Sequence, residues 1–219
     1  MNPETTKKTL SRQDVETVAR VMADSFMEDP LNIAVLEGVS RKKELLLAHS
    51  LLHTRHAMRC GTLTLLEGDP RAFLIGLDSK YESRLKDIGL IMNVYAKTIR
   101  VLGFKDLRTI FANNNKVKKS VSFSWQKEFI KGRYFRVKIV AIDKALRGSG
   151  AFRRLITPHI EACDAGNIPM ILETHNSNNL GIYERFGFEL VKTLSSGTSP
   201  IRQYCMIRKP APAAKGSGR

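Results

Sequence analysis

A short turn with two glycines, Arg147-Gly148-Ser149-Gly150, is the part of this sequence best suited to chemistry. It lies between an apolar stretch typical of a strand, 133–142, and an amphipathic stretch typical of a helix, 150–165. Glycines let the main chain approach a ligand closely, and the first N–H groups of a helix have no partner within the helix. These features together predict binding of a phosphate group, although an ordinary strand–helix connection would show the same residues.

A second pattern follows in residues 179–188, whose sequence is NLGIYERFGF. Together with the glycine turn it resembles the GNAT superfamily of N-acetyltransferases. The coenzyme A loop of that superfamily has the pattern (Gln/Arg)-x-x-Gly-x-(Gly/Ala), and a later segment has the pattern Asn-x-x-x-Tyr-x-x-x-Gly-Phe. Three further stretches are similar to its puromycin-acetyltransferase-like group: DP at 29–30, RLITP at 154–158 and ILET at 171–174. The resemblance is specific over 135–188 and looser over 10–78.

The resemblance implies that acetyl-CoA is the co-substrate and that no metal is needed. It implies the following cofactor contacts: Val140 and Ile142 for the pantetheine arm, Asn179 for the pantetheine chain, and Arg147, Gly148, Ser149, Gly150, Ala151 and Phe152 for the pyrophosphate. This sequence departs from the family pattern at Phe152, which occupies the position of a glycine or alanine. A phenyl ring there is expected to crowd the pyrophosphate.

Acetyl transfer to an amine needs a base and an acid. An alkylammonium has a pKa of about 10.4, so only roughly 0.1% of it is free amine near neutral pH. Tyr183 matches the family tyrosine that protonates the departing thiolate, and a phenol with a pKa of about 10 can donate that proton. Glu173, at the end of a predicted strand, is the candidate base, provided that burial raises its pKa. A packed core position for Tyr183 and an ordinary strand-end position for Glu173 fit the sequence as well.

The net charge of +15 is concentrated in one part of the chain. Residues 116–154 hold twelve Lys or Arg against Glu128 and Asp143. A basic surface suits the phosphates of coenzyme A, while a solvated surface, a nucleic acid or an anionic membrane would account for it equally well. A nucleic acid partner is therefore an alternative that we do not favour.

The sequence predicts a protein of the cytoplasm. No apolar run reaches the length of a membrane span, and no signal-peptide pattern opens the chain. Cys60, Cys163 and Cys205 lack metal-ligand spacing and are expected to be reduced thiols. The histidines also lack metal-ligand spacing. Asp29 is expected to form a turn with Pro30, although contact with a cationic substrate is an alternative.

The order of apolar patterns predicts a single α/β domain over residues 1–209. A strand at 7–10 precedes a helix capped by Ser11 and Asp14, a second helix at 40–59, and a hairpin of strands at 61–67 and 72–78. Helical pieces broken near Gly103 form an insert or lid at 79–130. Strands at 133–142, 169–174, 188–194 and 201–208 and helices at 150–165 and 178–186 follow, with a disordered basic tail at 210–219. The resemblance implies a GNAT-like mixed, mostly antiparallel sheet flanked by helices.

These observations predict an acetyl-CoA-dependent N-acetyltransferase that acts on a primary amine of a small molecule by direct attack. The alternative is a catalytically weak domain that binds coenzyme A, nucleic acid or both, which Phe152 would explain. Acetylation of protein amines is a third hypothesis, but it needs an open groove, and the insert at 79–130 argues against one. The insert is also a candidate homodimer contact.

Overall fold

Capping residues begin the first two helices. The computed structural model describes residues 10–81 and 84–211, so most of the predicted strand at 7–10 and of the tail at 210–219 lies outside the described residues. Helix α1, Arg12–Glu28, begins with the predicted capping box of Ser11 and Asp14, which is confirmed. Asp29 ends α1 and caps α2, Pro30–Val35, because Asp29 Oδ1 accepts the N–H of Asn32 at 3.1 Å. Helix α2 was not predicted, since six residues are too few for a periodic pattern.

The remaining elements lie within a few residues of their predicted positions. They are α3 Lys42–Cys60, β1 Leu63–Leu66, β2 Asp69–Asp78, α4 Arg84–Val101, α5 Phe104–Val117, β3 Phe135–Ile142, α6 Ala151–Ala165, β4 Met170–Thr174, α7 Leu180–Glu184, β5 Glu189–Ser196 and β6 Ser199–Arg208. Short 3-10 turns occur at Ser79–Tyr81, Lys118–Ser120, Trp125–Glu128, Lys144–Leu146 and Ser177–Asn179. Gly103 caps α5, so the predicted break in the insert is confirmed.

The six strands of the described chain form one sheet in the order β1-β2-β3-β4-β6-β5. The β3–β4 pair in the middle is parallel, and the other four pairs are antiparallel. The predicted mixed, mostly antiparallel sheet is confirmed. A parallel pair requires a crossover, and α6 provides it between β3 and β4.

Helices cover both faces of this sheet. On one face, Val18, Val21 and Met22 of α1 pack against Phe73 and Ile75 of β2. On the other face, residues of α6 and α7 pack against β3, β4 and β6 in a cluster that contains Ile156, Leu172, Phe188 and Met206. The chain is therefore a single α/β domain, as predicted, and its core lies in two layers, one on each face of the sheet.

The insert between β2 and β3 lies on the α1 side of the molecule. Helix α5 is tied to α2 by Asn113, whose side-chain amide donates to the carbonyls of Val35 and Glu37 at 3.1 and 2.9 Å. The guanidinium of Arg41 donates to the carbonyl of Val101, at the end of α4. The insert is helical, as predicted, while its role as a lid stays a prediction.

Candidate active site

The sheet opens between its two central strands. The parallel ladder of β3 and β4 pairs Phe135 with Met170 and ends at Val137 and Leu172, whereas β3 continues to Ile142 beside β2. At this point Ile75 faces Ile139 while Gly76 faces Val137, so Lys138 is an extra residue in β3 and forms a bulge. Beyond Val137, the main-chain groups of β3 on the side of β4 therefore have no strand partner. They can form hydrogen bonds with a ligand.

The predicted phosphate turn lies at the far end of this gap. Gly148 and Gly150 have φ values of +79° and +78°, which glycine adopts without strain. Gly150 caps α6 without a side-chain hydrogen bond, so the N–H groups of the first turn of α6 are free to bind an anion. A Cβ added at either glycine would meet no atom within 4 Å, so the space above the turn is open.

Two cations beside this turn are held by α1. Lys144 Nζ lies 2.6 Å from Glu28 Oε1, and Arg147 Nη2 lies 2.9 Å from Glu28 Oε2. The hydrogen bonds from Lys144 and then Arg147 lower the pKa of the Glu28 carboxyl. A cleft of about 490 Å³ lies here between α1 and the residues that follow β3. The turn thus combines free N–H groups with positive charge, as phosphate binding requires.

The ring of Phe152 lies in the core between α6 and α7. It packs edge-on against Tyr183, with ring centroids 5.7 Å apart, and against Phe186 at 5.0 Å. A phenyl group at this position is therefore accounted for by packing. The orientation of the Phe152 ring depends on tertiary contacts with α7, which cannot be predicted from the spacing of residues in the loop.

Tyr183 belongs to the same aromatic cluster, on the α6 face of the sheet. Its ring lies 6.1 Å from that of Phe188, and no residue in the described ranges hydrogen-bonds to its hydroxyl. Burial raises the pKa of Tyr183 to about 12. The hydroxyl therefore stays protonated at neutral pH and can donate a proton to a ligand.

Asn179 joins α7 to the end of β4. Its side-chain amide donates to Thr174 Oγ1 at 3.3 Å, and Thr174 is the last residue of β4. This contact places the Asn179 side chain beside the strand that borders the gap.

Glu173 lies on the opposite face of the sheet from Tyr183. Its carboxylate accepts hydrogen bonds from Arg136 Nη1 at 2.8 and 2.9 Å and from Trp125 Nε1 at 3.2 Å. Side chains alternate between the faces of a strand, so Glu173 faces Trp125 while its neighbour Leu172 faces α6. The arginine that pairs with Glu173 is itself buried, since its side chain is only 7% exposed.

His175, which directly follows β4, is a candidate site residue that was not predicted from the sequence. Its Nδ1 lies 3.7 Å from Asp29 Oδ2, and its buried Nε2 has no hydrogen-bond partner in the described part of the chain. Asp29 and His175 are far apart in the sequence, so only the fold brings them together. Asp29 also forms the predicted turn, since it separates α1 from α2.

Two of the three cysteines are buried. Burial raises the pKa values of Cys163 and Cys205 to about 12, so both stay thiols. In residues 10–81 and 84–211, no three His, Cys, Asp or Glu side chains lie close enough together to hold a metal ion. Within the same ranges, no helix has the length and apolar character needed to cross a membrane.

No protein-family model matches this sequence. Over 78 residues it is 32% identical to an uncharacterized N-acetyltransferase of Schizosaccharomyces pombe. That stretch is 35% of this chain and 32% of the relative, so the match spans about a third of the relative's length.

Solved structures resemble the chain over nearly its whole length. A structure described as histone acetyltransferase HPA2 and related acetyltransferase, from Corynebacterium glutamicum, has a TM-score of 0.59 at 15% identity. The alignment covers 94% of this chain and 96% of that one. Arylalkylamine N-acetyltransferase 2 from Aedes aegypti has a TM-score of 0.57 at 16% identity, over 93% and 98% of the two chains. The fold of this protein is therefore that of the GNAT acetyltransferases.

Proposed function

We propose that this protein is an acetyl-CoA-dependent N-acetyltransferase that acetylates a primary amine of a small molecule by direct attack. The observation that carries the proposal is the alignment of two ligand-binding features along one gap. The unpaired edge of β3 begins at the Lys138 bulge, and the glycine turn at the start of α6 lies at its far end. A long ligand with an amide-containing arm and a pyrophosphate fits this arrangement.

In this proposal, main-chain groups of Val140 and Ile142 bond the pantetheine arm, and Asn179 contacts it from the β4 side. The turn Arg147-Gly148-Ser149-Gly150 and the N–H groups of Ala151 and Phe152 bind the pyrophosphate. The alternative of a catalytically weak domain depended on Phe152, and the packing of that ring against α7 weakens its basis. The similarity to the puromycin-acetyltransferase-like group and a place in the cytoplasm are part of the same proposal.

The acid and the base of the proposed reaction would act from opposite faces of the sheet. Tyr183, on the α6 face, donates a proton to the thiolate as it departs. The acceptor amine approaches from the α1 face, where Glu173 and His175 lie. Glu173 stays the predicted base, while its bonds to Arg136 and Trp125 also give it a structural role.

Replacement of Gly150 tests the cofactor site. Gly150→Val adds a branched side chain where φ is +78° and where the phosphate would approach, so we expect the loss of measurable coenzyme A binding by calorimetry. Arg147→Ala should weaken binding only about tenfold, because main-chain N–H groups supply much of the contact.

Gly61→Val is the matched control. Gly61 also has a positive φ, +64°, with no atom within 4 Å of an added Cβ, but it lies at the end of α3. It should cost stability through backbone strain and leave coenzyme A affinity unchanged. Equal affinities for wild type and Gly150→Val would refute the cofactor site.

A further inference from the structure

A large apolar cleft lies between α2, α4, α5 and residues 117–123, apart from the phosphate turn. Its volume is about 880 Å³, within the range of roughly 300–1,000 Å³ usual for small-molecule sites. Tyr95, Phe104, Phe111 and Phe123 contribute aromatic rings to its wall. These rings are unusually open to solvent, since Phe111 is 72% exposed and Phe123 is 80% exposed.

The charges around this cleft are all of one sign. Among the residues that the structure describes there, Arg108 and Lys118 are charged, and no carboxylate lines the wall. A substrate ammonium group would therefore be repelled by the cleft itself. A ligand that fills the cleft must carry its cationic end elsewhere, with a neutral or anionic end near Arg108 and Lys118.

Helix α2 connects the cleft to a carboxylate that can receive that cationic end. Leu31 lines the cleft and lies in the first turn of the helix that Asp29 caps. Asp29 Oδ1 is engaged by the N–H and the side-chain amide of Asn32 at 3.1 and 3.2 Å. Asp29 Oδ2 accepts no hydrogen bond within residues 10–81 and 84–211, and the side chain is 26% exposed. This oxygen is free to accept a bond from an ammonium group.

Asp29 also lies beside the gap in the sheet. Its Oδ2 is 3.7 Å from His175 Nδ1, and His175 directly follows β4, which borders the gap. An amine on Asp29 is therefore held on the α1 face, from which the acceptor approaches in the proposed function.

We propose that the acceptor is a primary amine carried on a large apolar body, with the body in the cleft and the ammonium group on Asp29 Oδ2. This inference rests on the proposed function. The insert, through α4 and α5, selects the body, and the N-terminal end of α2 positions the amine. Small polar amines, polyamines and aminoglycosides are poor acceptors because they would place hydroxyl or ammonium groups against the aromatic wall.

Thiol release from acetyl-CoA, measured with a panel of amines, tests this class. We expect 2-phenylethylamine, tryptamine and octylamine to show kcat/KM values at least tenfold above those of ethanolamine, spermidine and kanamycin, since burial of an apolar body favours binding by about this factor or more. Preferential turnover of the polar amines would refute the inference and leave the proposed function standing. Absence of both coenzyme A binding and turnover would refute the proposed function, and the inference with it.

Two variants locate the site. Phe111→Ala should raise the KM for 2-phenylethylamine roughly tenfold and leave the KM for acetyl-CoA unchanged. Tyr81→Ala is the matched control, because Tyr81 is an aromatic residue of similar exposure, 61%, that does not line the cleft. An unchanged amine KM in Phe111→Ala would show that the cleft is not the acceptor site.

The amine end is tested at Asp29. Asp29→Asn removes the charge but keeps a good helix cap, so the protein should fold with α2 intact. We expect the KM for 2-phenylethylamine to rise about tenfold or more, because a charge-assisted hydrogen bond is lost. Asp29→Ala removes the cap as well, and only this variant should also lower the melting temperature. Wild-type kinetics in Asp29→Asn would refute the assignment of the ammonium group.

Discussion

Burial keeps the hydroxyl of Tyr183 protonated over a wide pH range and makes it a weaker acid than an exposed phenol. Burial raises the pKa of Tyr183 to about 12, and its hydroxyl has no hydrogen-bond acceptor in the described part of the chain. The protonated form is therefore present throughout the range from pH 6 to 10. The aromatic contacts with Phe152 and Phe188 hold the ring, so the ring and the hydroxyl have separable roles.

Tyr183→Phe separates those roles. The ring contacts remain, so the melting temperature and coenzyme A affinity should stay close to wild type. The rate should fall about a hundredfold, or roughly 3 kcal/mol in the barrier, because a general acid is lost. The raised pKa adds a pH prediction: the wild-type rate should show no fall from tyrosine ionisation below about pH 10. A wild-type rate in Tyr183→Phe would mean that Tyr183 is a core residue only.

The ion pair of Glu173 gives it a structural role that its sequence position does not reveal. Arg136 is buried, and its guanidinium donates to both carboxylate oxygens of Glu173. Glu173→Gln leaves that arginine without a counter-ion, so we expect a loss of unfolding free energy on the order of 3 kcal/mol. Urea unfolding measures this loss. Arg136→Gln should lower the unfolding free energy less in the Glu173→Gln protein than in the wild-type protein, because the ion pair is already broken there.

The pH dependence of the rate decides whether Glu173 is also the base. If it is, the folded Glu173→Gln protein should lose rate chiefly at low pH, where little amine is free, and recover part of it as pH rises. His175→Gln gives the comparison, because His175 lies on the same face beside Asp29. A normal profile in Glu173→Gln together with a shifted profile in His175→Gln would reject Glu173 as the base.

At the scale of elements, local sequence rules predicted most helices and strands and the β1–β2 hairpin, but not the register between strands that are distant in the chain. The capping box of α1 and the break at Gly103 depend on residues close together in the chain. The bulge at Lys138 depends on the register between β2 and β3, which is a property of two distant segments. Helix α2 depends on a single Asp-Pro pair, which predicts a turn as readily as a helix start.

Gly76 allows β2 and β3 to pair at that bulge. The ring of Phe135 lies over it, and a Cβ on Gly76 would come within 2.3 Å of Phe135 Cζ. Gly76→Ala must displace this ring, which stacks on His159 at 5.1 Å, so we expect a loss of about 1–3 kcal/mol in unfolding free energy. Urea unfolding of purified protein measures the loss.

Gly89→Ala is the control, because it should raise the unfolding free energy where Gly76→Ala lowers it. Gly89 lies in α4 with no atom within 4 Å of an added Cβ, so alanine should stabilise the helix by about 0.5–1 kcal/mol. Equal stability of Gly76→Ala and wild type would mean that the Phe135 ring is free to move and that the strand pairing does not depend on Gly76.

At the scale of the whole molecule, the charge pattern of the sequence overstates the basic surface. Five of the twelve cations in 116–154 pair with carboxylates outside that stretch: Arg133, Arg136, Lys144, Arg147 and Arg154. Their partners lie on α1, β2, β4 and the turn between β1 and β2. Composition reports how many charges a segment has, but the fold decides which of them face a partner.

This distribution leads to a prediction about nucleic acid. A site for a nucleic acid needs several unpaired cations along one surface, and each phosphate contact adds to the salt dependence of the affinity. Because these five cations already pair with four carboxylates, we expect weak binding of duplex or single-stranded nucleic acid in about 0.15 M salt, near the nonspecific range of 10⁻⁴–10⁻⁶ M or weaker.

Fluorescence anisotropy with labelled oligonucleotides of DNA and RNA measures the affinity, and coenzyme A added at saturation tests for competition. Removal of one carboxylate gives the control: Glu28→Gln breaks two ion pairs, frees Lys144 and Arg147, and should strengthen nucleic acid binding slightly, with a steeper salt dependence. A tight, salt-sensitive complex of the wild-type protein with RNA, displaced by coenzyme A, would mean that the basic surface evolved for nucleic acid as well as for the cofactor.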